Sequence, residues 1–369
     1  MCHFKVYQRE DHYHLPDSSL KNHFKVFARK EQYIVNLDEH AQRDHRRKQF
    51  VLMQSFESLI AKSRHKKWIP SESTVWRSSR DAWSWMQWPQ FPAKVNLTIL
   101  PSIANCTASR QELYSRKPKF VVVLKTRVEE IEQRRVIRET WARELNAPVV
   151  FAVGKSARTL DNWNTVNESK TYGDILQADF IDTYFNLAFK SLSILQWMDK
   201  HCPQVDFYVQ GDSDMLFSPR MLQSFVAMHR YSEKEIHGVV YTHALVLHSD
   251  KYAVNPASYP YAYFPDYCSG RVLLMTKDVP HRLLYFHERR VSKRDHSGYI
   301  SVDDAYFTGI IAQEAGVQRI NASKIVFLDQ PSDYGDTVNP CNTLAVGEFK
   351  SPRLMRAAWS TLSEEYEGC

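Results

Sequence analysis

Residues 119–154 read KFVVVLKTRVEEIEQRRVIRETWARELNAPVVFAVG, and their periodicity sets the fold class. KFVVVLKT is a short β-branched run with no polar alternation, as expected of a strand covered on both faces. VEEIEQRRVIRETWAREL (128–145) has helical spacing, with Ile131, Arg135, Ile137 and Trp141 recurring every three or four residues. APVVFAVG (147–154) returns to the buried-strand pattern. Further on, YFNLAFKSLSILQWMDK (184–200) reads as a helix carrying Leu187, Ser191, Ile194 and Leu195 on one stripe. VDFYVQ (205–210) reads as a third strand and MLQSFVAMHR (221–230) as a further helix. This alternation predicts an α/β domain with a mostly parallel sheet and helices on both faces. In such sheets ligands bind at the carboxyl ends of the strands, and GDSD (211–214) lies at one of them.

Two aspartates interrupt the apolar pattern at that point. Asp212 and Asp214 flank one small residue, so their short side chains can converge on a single hard cation. Turn or capping roles are the alternative for such a pair. Arg134 and Arg138 sit four apart on one helical face near the end of the first strand. Their guanidinium groups suit a diphosphate, or else ion pairs with Glu130 or Glu139. Asp303 and Asp304 open a further helical pattern, where they either cap the helix or supply a general base. FPDYCSGRVLLMT (264–276) places Gly270 just before an apolar strand, where the backbone can approach a ligand closely.

Composition bounds the rest. The 369 residues carry a net charge of +6, concentrated in RDHRRK (43–48) and RHKK (64–67), with no nucleic-acid-binding signature beside it. Nucleic acid is therefore not an expected partner. Six scattered cysteines with no CxxC pair exclude a zinc ribbon or thioredoxin motif. Together with four N-glycosylation sequons, at Asn96, Asn105, Asn167 and Asn321, they point to the secretory lumen. The longest apolar candidate, QFVLMQSFESLIA (49–61), is too short to span a membrane and contains Glu57. Residues 1–117 read as a basic extension or stem with Trp68, Trp76, Trp83, Trp85 and Trp88, and residues 118–369 as the main domain.

Taken in order, RRVIRETW (134–141), YGDILQADFIDTYFNLAFKS (172–191), FYVQGDSDMLF (207–217), FPDYCSGRVLLM (264–275) and VDDAYFTG (302–309) resemble the β-1,3-galactosyltransferase family, glycosyltransferase family 31. That family includes β-1,3-N-acetylglucosaminyltransferases and fringe-like enzymes. The resemblance implies a GT-A fold, a UDP-sugar donor, Mn²⁺ or Mg²⁺, and inverting transfer of a hexose to a glycan hydroxyl in β-1,3 linkage. It implies metal binding by Asp212 and Asp214, nucleotide contacts from Arg134, Arg138 and Gly270, and catalysis by Asp304 with Asp303 as helper. It also implies a Golgi enzyme of type II membrane topology. The chain departs from the family pattern in carrying Ser213 between the two acids and in having no histidine after His296. Glu348, or else water, is the expected oxygen ligand in place of that histidine. A catalytically silent domain that binds glycan or assists a partner enzyme is the alternative reading.

Overall fold

The computed structural model describes residues 91–102, 119–247, 252–255, 258–293, 298–329 and 339–367. The basic runs at 43–67, the five tryptophans at 68–88 and the Asn105 sequon lie outside them. The central sheet has eight strands, β1 (Leu97–Ile99), β2 (Phe120–Lys125), β3 (Val149–Lys155), β4 (Ile175–Ile181), β5 (Phe207–Asp212), β7 (Glu235–Gly238), β10 (Val272–Thr276) and β11 (Gln318–Asn321). Their order is β1-β4-β3-β2-β5-β10-β7-β11. Outside this sheet, β8 (Val240–Tyr241) pairs with β9 (Tyr267–Cys268), and β12 (Val326–Phe327) belongs to a small three-stranded sheet. The middle strands β4, β3, β2 and β5 run parallel, whereas β1 and β10 are antiparallel to their neighbours. The sheet is therefore mixed, with a parallel centre. This is an α/β arrangement with a mostly parallel sheet, as the alternation of strands and helices predicted.

Alternation along β2 shows why that strand is apolar throughout. Val121 and Val123 enter one core, against Leu192 and Leu195 of α4 (Leu187–His201) and Leu283 of α6 (Val279–Ser292). Phe120, Val122 and Leu124 enter the other. There they join Ile137 of α1 (Ile131–Glu139), Trp141 of α2 (Trp141–Glu144), Leu222 and Phe225 of α5 (Pro219–Met228) and Trp359 of α8 (Pro352–Glu367). Each face buries a full layer of side chains, at roughly 1.5–3 kcal/mol per large apolar residue.

Several elements differ from the expectation. The helix expected over 128–145 is broken at Thr140, whose hydroxyl donates to Val136 O. This back-bond competes with the helical ladder. A helix α3 (Thr159–Tyr172) and strand β4 follow β3, and neither stands out in the sequence. The α3 sequence, TLDNWNTVNESKTY, is polar and nearly unpatterned; it ends at Gly173, whose φ of +68° favours glycine. The main domain also starts earlier than residue 118. β1 pairs with β4, and Phe91 is buried in the core against His287, Tyr299 and Tyr306.

Among the described residues no helix is long and apolar enough to cross a membrane. Cys202 and Cys341 are each disulfide-bonded, while Cys268 is a buried free thiol. Asn96 and Asn321 are exposed, as glycosylation acceptors must be, and Asn167 is half-buried on α3.

Candidate active site

Strand β5 carries the chain out of the sheet and ends on Asp212. Ser213 and Asp214 then turn into β6 (Leu216–Phe217), which pairs antiparallel with β13 (Ala345–Val346). The turn is held from three sides. Ser213 N–H donates to Lys125 O at 3.0 Å, Gln133 Nε2 donates to Ser213 O at 2.7 Å, and Phe349 N–H donates to Asp214 O at 2.9 Å. Ser213 is buried toward α1, where its hydroxyl donates to Glu130 at 3.2 Å. The middle position of the motif is thus a fastening for the turn.

Asp303 and Asp304 stand at the start of α7, whose first part Ala305–Ile311 is a π-helix and whose last turn is Ala312–Glu314. Such segments recur at functional sites. Asp304 is half-buried and caps the helix, accepting from Ala305 N–H (2.8 Å) and from Gly270 N–H (3.2 Å). Its carboxyl is nevertheless pushed up to about 6, by burial first and then by the charge of Asp303, against Lys125 and those two N–H groups. Asp303 is more deeply buried, and its Oδ2 is fully engaged by Ser191 Oγ at 2.5 Å and Lys125 Nζ at 3.2 Å. Of the two carboxylates expected to act in catalysis, Asp304 is the more accessible.

Lys125 was not singled out in the sequence. It sits in register with Asp212 across β2 and β5, and its ammonium lies 3.2 Å from Asp212 Oδ1 as well as from Asp303. Burial pulls its pKa down, but the charges of Asp212, Asp303 and Asp304 win and hold it above the usual lysine range. The signal was present: a lysine at the end of an otherwise apolar strand covered on both faces. Gly270 makes room for it, since a Cβ there would stand 3.0 Å from Lys125 Nζ and 3.2 Å from Asp304 Cβ. Beneath Asp303 and Asp304 is a cavity of only about 10 Å³, lined also by Ser191, Gln210 and Thr308. It has room for a single water.

Asp214 is the least compensated of these acids. Its Oδ1 is buried and accepts no hydrogen bond, and its carboxyl is pushed up to about 7 by burial, then by Asp212 and Glu348, against Arg271. Asp212 is also raised, chiefly by burial, with Lys125 opposing. Glu348 is brought to the same end of the sheet by the β6–β13 pairing, but it does not close a cage with the two aspartates. Its carboxylate lies 3.7 Å from Arg271 Nη2. Among the described residues no three His, Cys, Asp or Glu side chains cluster as a metal site.

The family model for galactosyltransferases matches residues 132–323, just over half of the chain. The chain belongs to the galactosyltransferase family. The rat UDP-GlcNAc:betaGal beta-1,3-N-acetylglucosaminyltransferase 7 is 30% identical over 178 residues, covering 44% of this chain and 45% of that protein. Human beta-1,3-galactosyltransferase 5 is 26% identical over 257 residues, covering 66% of this chain and 79% of that protein. The mouse acetylgalactosaminyl-O-glycosyl-glycoprotein beta-1,3-N-acetylglucosaminyltransferase is 30% identical over 261 residues, covering 66% and 64% respectively. This galactosyltransferase-family chain thus spans about half the length of the rat relative.

One expectation needs correction in this galactosyltransferase-family domain. Arg134 and Arg138 do not present a guanidinium clasp to a diphosphate. Arg134 is fully buried, and its five N–H donors all go to protein acceptors: both oxygens of Glu168, Thr126 Oγ1, Arg127 O and Val128 O. Arg138 pairs with Asp174 (2.8 and 2.9 Å) and Glu168 (2.8 Å) and lies 4.0 Å over the Tyr172 ring. The pair fastens α1 to α3, and the acids that complete it lie 30 or more residues away, out of reach of a local motif. Glu168→Ala would strand a buried guanidinium, and is expected to lower unfolding free energy by about 3–5 kcal/mol in urea titrations. Unchanged stability with a tenfold or so loss of UDP affinity would return the arginines to the nucleotide site.

Proposed function

We propose that the chain is an inverting UDP-sugar-dependent β-1,3-glycosyltransferase that moves galactose or an N-acetylhexosamine onto a glycan hydroxyl. The observation that carries this reading is the meeting of two acid pairs at one end of the sheet. Asp212 and Asp214 leave β5, Asp303 and Asp304 open α7, and Lys125 touches one member of each pair. The names of the relatives support the sugar classes and the linkage. The disulfides at Cys202 and Cys341 support a lumenal, Golgi location, with a type II membrane anchor expected from the family.

Asp304 is the base in this reading. It takes the proton of the acceptor hydroxyl while the hydroxyl oxygen bonds to the anomeric carbon, and the bond from that carbon to the diphosphate oxygen breaks. UDP departs from the opposite face, so the configuration inverts. Asp303, committed to Ser191 and Lys125, helps by holding the turn. The chemistry of the donor set fits a divalent cation, Mn²⁺ or Mg²⁺. Asp214 has an orphaned buried oxygen, and its carboxylate and that of Asp212 are hard oxygen donors placed one residue apart. Asp214, with Asp212 beside it, would hold the ion with water completing its shell, and bound there it would supply charge neutralisation for the departing diphosphate.

The test is UDP release from UDP-Gal, UDP-GlcNAc and UDP-GalNAc with a panel of glycan acceptors and Mn²⁺. One donor is expected to give acceptor-dependent release of β-1,3-linked product. Tight UDP binding with no release from any donor would instead mark a silent, glycan-binding domain.

A further inference from the structure

The Lys125 ammonium is a buried charge that the transfer chemistry leaves without a task. Its side chain is 6% exposed, at the end of a central strand where an apolar residue would cost less to bury. It reaches two carboxylates that arrive from different parts of the chain, Asp212 on β5 and Asp303 at the head of α7. Ser191, from α4, grips the same Asp303 oxygen from another side. Gly270 donates its N–H to Asp304 and leaves the space the ammonium fills. The carbonyl oxygen of Lys125 itself accepts the Ser213 N–H, so Lys125 fixes the diphosphate-side turn through its backbone as well.

We propose that Lys125 is a positioning residue for transfer, an ionic brace that sets the distance between the Asp212–Asp214 turn and the base Asp304. The proposal rests on the transferase reading above. Asp303 is the lever: clamped between Lys125 and Ser191, it cannot rotate, and the adjacent Asp304 keeps its orientation toward the acceptor. Without the ammonium, Asp212 and Asp303 repel each other and the two halves of the site spread apart. A displacement of about 1 Å at a reacting group can cost about 100-fold in rate.

The experiment compares Lys125→Ala and Lys125→Met with wild type. Both are expected to lower kcat about 100-fold, with KM for the UDP-sugar within about threefold of wild type. Added ethylamine, which returns an ammonium to the vacated space, is expected to restore the Lys125→Ala rate about tenfold and to leave Asp304→Asn unimproved. A folded Lys125→Met variant with kcat near wild type would overturn the brace. So would a rate loss matched by an equal loss of UDP affinity and insensitive to ethylamine, which marks a packing role. If neither lysine variant folds, Ser191→Ala decides the matter, since it loosens the same clamp while keeping the charge. A fall in kcat of about three- to tenfold at constant donor KM supports the brace, and an unchanged kcat overturns it. Failure of the transferase reading looks different, because then wild type itself releases no UDP.

Discussion

Asp304→Asn is expected to lower kcat by about 10²–10⁴-fold while leaving UDP affinity within about threefold. The amide retains the oxygen that caps α7 through Ala305 N–H, gives up the acceptor of the Gly270 N–H, and cannot take a proton. In wild type the working form is the carboxylate. With its pKa pushed up to about 6, kcat/KM should rise with pH through that value and level off above it. Stability should move the other way. The unfolded chain releases this proton near about pH 3.9, whereas the folded chain holds it to about 6. Ionising Asp304 therefore removes stability as pH rises between those two values, and the loss is complete above the higher one. The melting temperature of Asp304→Asn relative to wild type should accordingly rise as pH goes from about 4 to 8. A variant that binds UDP and still transfers sugar at the wild-type rate would remove Asp304 from the mechanism.

Asp214→Ala should erase the gain in UDP affinity given by Mn²⁺, a loss of about 10–100-fold, or on the order of 1.4–2.8 kcal/mol. The reason is local. Asp214 carries the orphaned oxygen, whereas Asp212 already faces Lys125 and Glu348 already faces Arg271. Ion binding to the folded chain alone also raises its melting temperature. Mn²⁺ should therefore raise the wild-type melting point and leave that of Asp214→Ala unmoved. Isothermal titration of UDP with and without Mn²⁺, beside thermal melts, checks both. Equal metal enhancement in the two proteins would move the ion elsewhere.

How much of this was legible in the sequence depended on how local the cause was. The strands β2, β3 and β5 were readable because burial on both faces demands an unbroken apolar run, and each run is a few residues long. Asp212, Asp214 and Asp304 stand out because acids next to such runs need a reason. Helix α3 was not, since its contribution is made through Asp161, Thr165 and Glu168 on a polar face, with no apolar stripe to betray it. Arg134 and Arg138 were noticed, yet given a ligand, because Glu168 and Asp174 are distant in sequence and adjacent only after folding. Lys125 escaped for a similar reason. A terminal lysine on a strand ordinarily reaches solvent, and it is the arrival of Asp303 at the head of α7 and of the Gly270 turn beside it that makes this one internal.

The pairing of β6 with β13 has a practical meaning for anyone making fragments of this protein. The acid turn after β5 is finished by residues more than a hundred positions later, Ala345, Val346 and Phe349. It is also floored by β2, whose Lys125 precedes the family-matched stretch of 132–323. The stretch that the family model matches is therefore shorter than the stretch that builds the site. An expression fragment trimmed to the recognisable part would lose the strand carrying Lys125 at one end and the fastening of Asp214 at the other. Boundaries drawn outside Phe91 and Leu362, both buried in the cores, keep the working unit whole.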